Sequence, residues 1–254
     1  MRRHRAYERK AFATLQSETR KIIRAIPKEK LTPDNYERLL KASIDEAIYR
    51  RAINNIYTTI GLDHIEHVDM DVRIQTKSLA TDAFQRSVAR YLVSQGGSRI
   101  VSMTETLYRH VLGIFAQEIP KGRSLSNIVT QILQGNNFYR AQLLRIARTE
   151  TTAAAGFASN AVSTTSGILM DKVWVSAQDN RTRQTPGQDF DHFIMNGMRV
   201  PDGDPFEIPT KDGGFERLEF PGDPNGSAGN VINCRCNIIK VVRRDENGNI
   251  IRRF

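Results

Sequence analysis

Apolar residues recur at helical spacing from the start of the chain and predict a series of helices. In the first helix, apolar positions between Phe12 and Ile26 repeat every three or four residues until Pro27 stops the pattern. A second helix is predicted to begin at residues 32–34, Thr-Pro-Asp, because proline suits a first helical turn. It is predicted to run on until Gly61, a residue type that commonly ends helices.

The same spacing predicts four further helices up to residue 164. Two of them are expected over about residues 72–95 and 99–118. Ser124 is the expected N-cap of a short helix that ends at Gly135. The last and longest helix is expected over about residues 137–164.

The second half of that long helix is rich in small residues. Alanine and threonine fill most of residues 151–155, and Ala158 and Ala161 follow at helical spacing. A helix faced with small side chains lets another element approach its backbone closely. We therefore expect this stretch to be a packing surface shared with the part of the chain that follows.

The pattern changes from helical to strand-like after residues 166–167, Ser-Gly. Val173-Trp174-Val175 is β-branched and aromatic, and residues 238–242 are a second strand of the same kind. Between them, residues 178–230 hold most of the glycine and proline, which excludes long helices. Asn247-Gly248 predicts a two-residue hairpin turn near the end of the chain.

These patterns predict an α+β fold in two domains. A mainly helical domain is expected over residues 1–135, and a small, loop-rich α+β domain with a short antiparallel sheet over residues 136–254. No apolar run approaches the roughly 18–20 residues that cross a bilayer. The N-terminus lacks the apolar core of a signal peptide, so we expect synthesis in a host cytoplasm.

The net charge of +9 is concentrated at the two ends of the chain. Residues 1–30 hold ten Lys and Arg against three acidic residues, and residues 240–254 hold five against two. Basic ends on a neutral body predict arms that contact a polyanion, most simply nucleic acid through its phosphates. The alternative is solvated, flexible termini without a ligand. The expected nucleic-acid or portal contacts are Arg2, Arg3, Arg5, Arg9, Lys10, Arg243, Arg244, Arg252 and Arg253.

The last hundred residues carry an ordered set of short motifs. They are Ala-Arg-Thr-Glu-Thr at 147–151, Trp174, Asp179-x-Arg181-x-Arg183, His192 with Gly197, Pro-Gly-Asp-Pro at 221–224 and Asn-Cys-Arg-Cys at 233–236. Taken together and in this order, they resemble the C-terminal domain of the phage Mu F-like minor head proteins, also called phage head morphogenesis proteins. The resemblance covers about residues 140–242. Between Arg183 and His192 the chain inserts residues 184–191, where many members of that family are shorter.

The resemblance implies a low-copy structural protein of the virion without enzymatic activity or a cofactor. Such a protein associates with the portal protein, the major capsid protein or both during procapsid assembly, in the capsid interior or at the portal vertex. It contacts packaged double-stranded DNA nonspecifically and assists DNA packaging or delivery. A nonspecific DNA-binding protein unrelated to capsids is the alternative from another class.

A metal-dependent nuclease is the enzymatic alternative. A loop-rich region contains Asp189, Asp191 and His192, and Asn233 could lie nearby. Such side chains could bind a catalytic Mg²⁺ ion. No HNH-like, His-x-His or paired-carboxylate spacing is present in the sequence.

The charged motif residues predict a structural lattice of ion pairs. Arg148 and Glu150 are two positions apart and therefore lie about 200° apart around a helix, so each needs its own partner. We expect Asp179 to pair with Arg148. The expected partner of Glu150 is one of three arginines, whose forked guanidinium suits a carboxylate: Arg181, Arg183 or Arg235.

The two cysteines and one histidine of the motifs are candidate zinc ligands. Cys234 and Cys236 are too close in sequence for an unstrained disulfide, which leaves free thiols or metal ligands. With His192 they supply three of the four ligands that structural zinc normally has, and Asp179 or Asp191 could complete the set. The alternative is a pair of buried cysteines that act as small apolar residues. The remaining histidines show no partner pattern, and the two at positions 64 and 67 are expected in a surface turn.

Overall fold

Helices occupy most of the chain up to residue 165, and strands are confined to the part that follows. The computed structural model describes residues 2–67, 73–94, 96–134 and 137–253, and its fold is α+β, as predicted. The helices are α1 (Arg2–Arg24), α2 (Tyr36–Ser43), α3 (Glu46–His67), α4 (Arg73–Ser94), α5 (Gly96–Glu118), α6 (Leu125–Gln134), α7 (Asn137–Thr165) and α8 (Ala228–Val231). The strands are β1 (Met170–Val175), β2 (Arg199–Pro201), β3 (Phe206–Pro209), β4 (Phe215–Leu218) and β5 (Asn237–Val242). Among the described residues, none of these helices combines the length and apolar character that crossing a membrane requires.

The predicted short antiparallel sheet has β1 at its centre, between β2 and β5, and β3 and β4 form a separate hairpin. Lys172 of β1 lies directly opposite Lys240 of β5, and both side chains are buried. Like charges in this arrangement repel each other. Each lysine therefore has a carboxylate partner: Glu219 lies 2.9 Å from Lys172, and Asp202 pairs with Lys240.

The long helix α7 is shared by the helical and the stranded parts of the fold. It packs against α1, α3 and α4 and also contacts β5. One apolar cluster extends from α1 through α7 to Met170 at the start of β1. A smaller second cluster surrounds Trp174 and Phe206. The domain boundary expected between residues 135 and 136, and the helix end expected at Gly135, lie outside the described residues.

The helix predicted over residues 32–61 is in fact two helices. The chain breaks after Ser43, and the carboxylate of Asp45 accepts the backbone N–H of Ala47 at 2.8 Å where α3 begins. The predicted end at Gly61 is wrong, because α3 continues to His67. Gly61 is needed inside the helix, since the buried ring of Phe84 occupies the space where a side chain would lie.

The basic N-terminus is the first part of α1 and not an extended arm, which corrects that expectation. His4, Tyr7 and Ala11 recur at helical spacing and are buried on one face of α1. The opposite side of these turns faces solvent. The side chain of Arg2 lies outside the described set, and the exposed basic side chains are Arg3, Arg5, Arg9 and Lys10.

The basic C-terminus is likewise tied to the fold. The predicted hairpin turn is confirmed, with Gly248 in the left-handed conformation at φ 82°. Arg243 Nε lies 2.5 Å from Asp171 Oδ1, and Arg253 Nη2 lies 3.4 Å from Asp202 Oδ2. These ion pairs neutralise two of the four arginines of this end; the other two, Arg244 and Arg252, are exposed.

The contrast between two helical glycines tests the packing of α3 on α4. Gly61→Ala should lower the free energy of unfolding by about 1–3 kcal/mol, because the new methyl carbon would lie 1.9 Å from Cζ of Phe84. Gly113→Ala in α5 should raise it by about 0.5–1 kcal/mol, because nothing lies within 4 Å of the added carbon. Urea unfolding followed by circular dichroism measures both changes. Equal responses of the two variants would contradict the packing described here.

Candidate functional site

The middle of α7 is a platform on which the C-terminal loops lie, as its small residues predicted. Residues 151–155 are all buried. The ring of Phe220 packs directly on Gly156, where an added side-chain carbon would lie 2.1 Å from the ring. Gly222 has φ +81°, and a side chain there would lie 3.0 Å from the backbone nitrogen of Ala153. Both glycines are therefore required for the loop at residues 220–224 to touch the helix.

Hydrogen bonds join the Asn-Cys-Arg-Cys segment to the same stretch of α7. Thr149 Oγ1 accepts the backbone N–H of Asn233 at 2.8 Å, and Thr152 Oγ1 donates to the carbonyl of Cys234 at 2.8 Å. Asn233 has φ 63°, a left-handed conformation that asparagine tolerates better than most residues. Thr149 of the motif and Thr152 directly after it thus fix the position from which the two cysteine side chains start.

The structure brings His192, Cys234 and Cys236 together. Nδ1 of His192 lies 3.6 Å from Sγ of Cys234 and 3.6 Å from Sγ of Cys236. The three side chains are buried, and their ligand atoms lie within 4.8 Å of one another. Among the described residues, no other group of three His, Cys, Asp or Glu side chains has this proximity. The predicted set of candidate ligands is therefore assembled in space, and both cysteines are free thiols.

A chain of hydrogen bonds fixes the orientation of the His192 ring. Nε2 of His192 lies 2.5 Å from Oδ1 of Asn230, and Nδ2 of Asn230 donates to Oε2 of Glu216 at 2.8 Å. Burial would raise the pKa of Glu216, but hydrogen bonds from Asn230 and Ser227 outweigh it and lower that pKa. The ionised carboxylate only accepts hydrogen bonds, so the amide group of Asn230 turns its oxygen towards His192. Nε2 of His192 therefore carries the proton, and the lone pair of Nδ1 faces the sulfurs.

Aromatic side chains and the two thiols complete the surroundings of this ring. Trp174, which is fully buried, meets His192 edge to face at 5.3 Å and Phe206 at 5.2 Å. The hydrogen bond from the thiol of Cys236 stabilises a thiolate at Cys234 and outweighs the opposing effect of burial, so the pKa of Cys234 lies well below its usual range. The cluster is thus a small polar group enclosed by apolar side chains.

The aspartates proposed as further ligands or as nuclease residues do not join the cluster. Asp191 is buried, and its carboxylate accepts the backbone N–H groups of Phe193 at 3.0 Å and Thr185 at 3.2 Å. Asp189 is exposed and lies 2.6 Å from the amino group of Lys211. Both carboxylates therefore hold loops in place, and the grouping of Asp189 and Asp191 with the His192 ring is not found in the described residues.

The ion-pair partners expected for the helix motif are wrong. Arg148 pairs with Glu8 of α1 at 3.4 Å, and Glu150 accepts hydrogen bonds from the hydroxyls of Tyr57 at 2.9 Å and Tyr91 at 3.5 Å. The two side chains do point to different sides of α7, as the helical geometry requires. These partners come from the N-terminal helices, and Arg148 also donates to Oδ1 of Asn233 in the C-terminal loops at 3.4 Å.

The remaining members of the expected lattice form their own set. Arg235 makes a two-pronged pair with Asp179, with Nη2 at 2.6 Å from Oδ1, and Arg181 lies 4.0 Å from the same carboxylate. This pair holds the pKa of Asp179 well below its usual range. Arg183 donates to the backbone carbonyl of Ile232. The arginines thus connect the loop after β1 to the cysteine segment.

Three histidines that the sequence left without partners lie together beside this site. His4, His64 and His67 line a cavity of about 180 Å³ with Tyr7. His64 Nε2 lies 3.0 Å from the hydroxyl of Ser159, and both His64 and His67 belong to α3, so the expected surface turn is wrong. The burial of these histidines could have been predicted from helical spacing, because His4 lies one turn before Tyr7 and His64 continues the apolar face that precedes it.

The partly buried His64 predicts that stability falls in mild acid. Burial, together with the nearby positive charges of His4 and Arg3, lowers the pKa of His64 from its ordinary 6.5 to about 4. Between these pH values the unfolded chain binds the proton and the folded chain does not, so acid favours unfolding. The loss should reach about 2–3 kcal/mol between pH 7 and pH 4.

Denaturant unfolding of the wild type, His64→Gln and His67→Gln at several pH values measures this loss. The His64 variant should flatten the dependence of stability on pH. The variant of His67, which is exposed on the same helix, should keep it. An unchanged slope in the His64 variant would show that the acid sensitivity has another source.

Comparisons with known proteins do not assign this chain to a group. No protein-family model, curated protein or solved structure matches it. The resemblance to the Mu F-like proteins therefore stays an expectation that rests on the ordered motifs alone. Any function of the chain must be argued from its own residues and their geometry.

Proposed function

We propose that this chain is a phage minor head protein that acts by binding and scaffolding. One observation supports the proposal most strongly: the motifs that carry the resemblance, although spread over about ninety positions, meet at one place. The residues of 147–151 hold the segment 233–236 through Thr149, and residues 221–224 lie on the next turn of α7. Trp174 and His192 pack against each other beside them. The order of the motifs thus corresponds to one three-dimensional unit.

The proposed role in the particle is association with the portal or the inner shell during procapsid assembly. The His192 cluster is enclosed, with both cysteine residues about 2% exposed, which does not suit a nucleophile that must reach a substrate. Rigid loops packed on a long helix are suited to a stable binding surface. The protein would remain in the virion at low copy and assist DNA packaging or delivery.

The basic face at the start of α1 is the proposed contact with packaged DNA. Arg3, Arg5, Arg9 and Lys10 are exposed, and among the described residues none of them forms an ion pair. Phosphate binding by such a surface is independent of sequence and depends strongly on salt. The arginines at the C-terminal end contribute less charge, since Arg243 and Arg253 are partly neutralised by aspartates.

A nonspecific DNA-binding protein unrelated to capsids is the second candidate, and the same basic face favours it. Both candidates predict DNA binding by the isolated chain. Only the minor head protein is expected in assembled particles. Particle association therefore distinguishes the two.

Quantitative mass spectrometry of particles from a density gradient tests the proposal. We expect the chain in procapsids and full heads at or below the copy number of the portal subunit. A chain found only free in the lysate would overturn the minor head assignment, and DNA binding would then favour the second candidate.

A matched pair of triple variants tests the DNA-binding face. Replacing Arg3, Arg5 and Arg9 with alanine should weaken binding to duplex DNA at least tenfold at low salt. It should also reduce the slope of log affinity against log salt by about 2–3. The control variant replaces three exposed arginines elsewhere with alanine, at positions 38, 51 and 86, and so loses the same net charge. Its DNA affinity and its salt slope should change only as much as this lower net charge causes. Equal losses in both variants would contradict a role for α1.

A further inference from the structure

We propose that His192, Cys234 and Cys236 bind one zinc ion through Nδ1 and the two sulfur atoms. The inference rests on the geometry of these side chains and does not depend on the proposed function. The ion would connect the loop that follows β1 to the segment that enters β5. Its three protein ligands from the described residues would be one fewer than structural zinc normally has.

The two distances between the histidine nitrogen and the cysteine sulfurs are those that zinc requires. With Zn–S of about 2.3 Å and Zn–N of about 2.0–2.1 Å, a tetrahedral ion places nitrogen and sulfur about 3.6 Å apart. Nδ1 of His192 lies 3.6 Å from the sulfur of each cysteine. Hydrogen bonding between a thiol and an imidazole tolerates a range of distances, but two equal distances of this length also suit a shared ion. These two distances would change little on binding.

The orientation of the histidine is already the one that a metal ligand needs. Asn230 accepts the proton of Nε2, and Glu216 fixes the amide of Asn230. The lone pair of Nδ1 is therefore available on the side of the sulfurs. Histidines that bind metals commonly donate their other ring N–H to a fixed acceptor in this way. Asn230 and Glu216 are the outer residues of the proposed site.

The charge and the chemistry of the ligands favour zinc over the hard cations. Two thiolates neutralise one divalent ion, so the complete group can be buried without net charge. Soft sulfur ligands with an imidazole select zinc, whereas Mg²⁺ and Ca²⁺ prefer oxygen. No Asp or Glu of the described chain lies at ligand distance from this group. The fourth position is left to a small exogenous ligand such as water.

The surrounding fold shows what such an ion would contribute. The apolar cluster on this side of the sheet is small, and it includes the two cysteines themselves beside Trp174, Met195 and Phe206. The long loops between the few strands have few backbone hydrogen bonds of the kind that stabilise a sheet. A metal ion that joins two such segments stabilises them directly, because the site does not exist in the unfolded chain.

Metal content and cobalt binding of the full-length chain test the proposal. Protein purified without chelator should contain one zinc per chain by elemental analysis. The metal-free chain should bind one equivalent of Co²⁺, with a sulfur-to-cobalt charge-transfer band in the near ultraviolet and strong visible bands of tetrahedral cobalt. Removal of the metal should lower the Tm, and Zn²⁺ but not Mg²⁺ should restore it.

Substitutions then assign the ligands. Cys234→Ala, Cys236→Ala and His192→Ala should each reduce bound zinc at least tenfold. Met195→Leu, which changes a buried side chain of the same apolar cluster, should keep one zinc per chain. A fall in zinc with Met195→Leu equal to that of the ligand variants would overturn the assignment.

The wild-type chain decides the question even where a ligand variant fails to fold. Absence of zinc after expression with added zinc, together with no cobalt bands, would show that the cysteines are packed thiols and would overturn the proposal. Cobalt spectra without sulfur charge transfer would overturn it as well, because the ion would then lie elsewhere. Saturation of the metal-free chain at one equivalent of Co²⁺, with a sulfur-to-cobalt charge-transfer band, supports the proposal.

Discussion

The structure depends on close contact between the middle of α7 and two layers of the protein at once. Helices α1, α3 and α4 pack along this helix, and the C-terminal loops lie on it as well. Only small side chains let the neighbouring helices and the C-terminal loops both come close to the backbone of α7. Ala153, Ala154 and Ala158 are therefore fully buried, and Gly156 leaves room for an aromatic ring. The position of the cysteine segment follows from this contact.

Polar side chains organise the loops where regular strands are few. The carboxylate of Asp223 accepts the backbone N–H groups of Glu219 at 2.8 Å and Asn225 at 2.9 Å, and the buried carboxylate of Asp191 does the same for its own loop. Such bonds satisfy buried backbone groups that a sheet would otherwise pair. His192 follows directly after one of these carboxylates. The proposed zinc ligands are therefore fixed by loops that are already held in place.

Local patterns predicted the long helices and the strands β1 and β5 but not the short elements β2, β3, β4 and α8, and distant contacts account for several of the errors. The apolar period gave α1 and the β-branched runs gave β1 and β5, because these signals lie within each element. Gly61 alone predicts a helix end, although the glycine is required by the ring of Phe84 from another helix. The sequence predicts that Arg148 pairs with a C-terminal aspartate, but in the folded chain Arg148 pairs with Glu8. The cysteine and histidine set was predictable from residue type alone, whereas the tautomer of the histidine required the structure.

Hydrogen exchange of the full-length chain tests most directly whether α7 and the C-terminal loops form one unit. The amide of Asn233 donates to Thr149, so peptides that cover residues 230–238 should be protected together with residues 147–157 of α7. We expect Thr149→Val to accelerate exchange in both peptides by a similar factor. Rapid exchange of residues 230–238 in the wild type, beside a fully protected α7, would contradict the account.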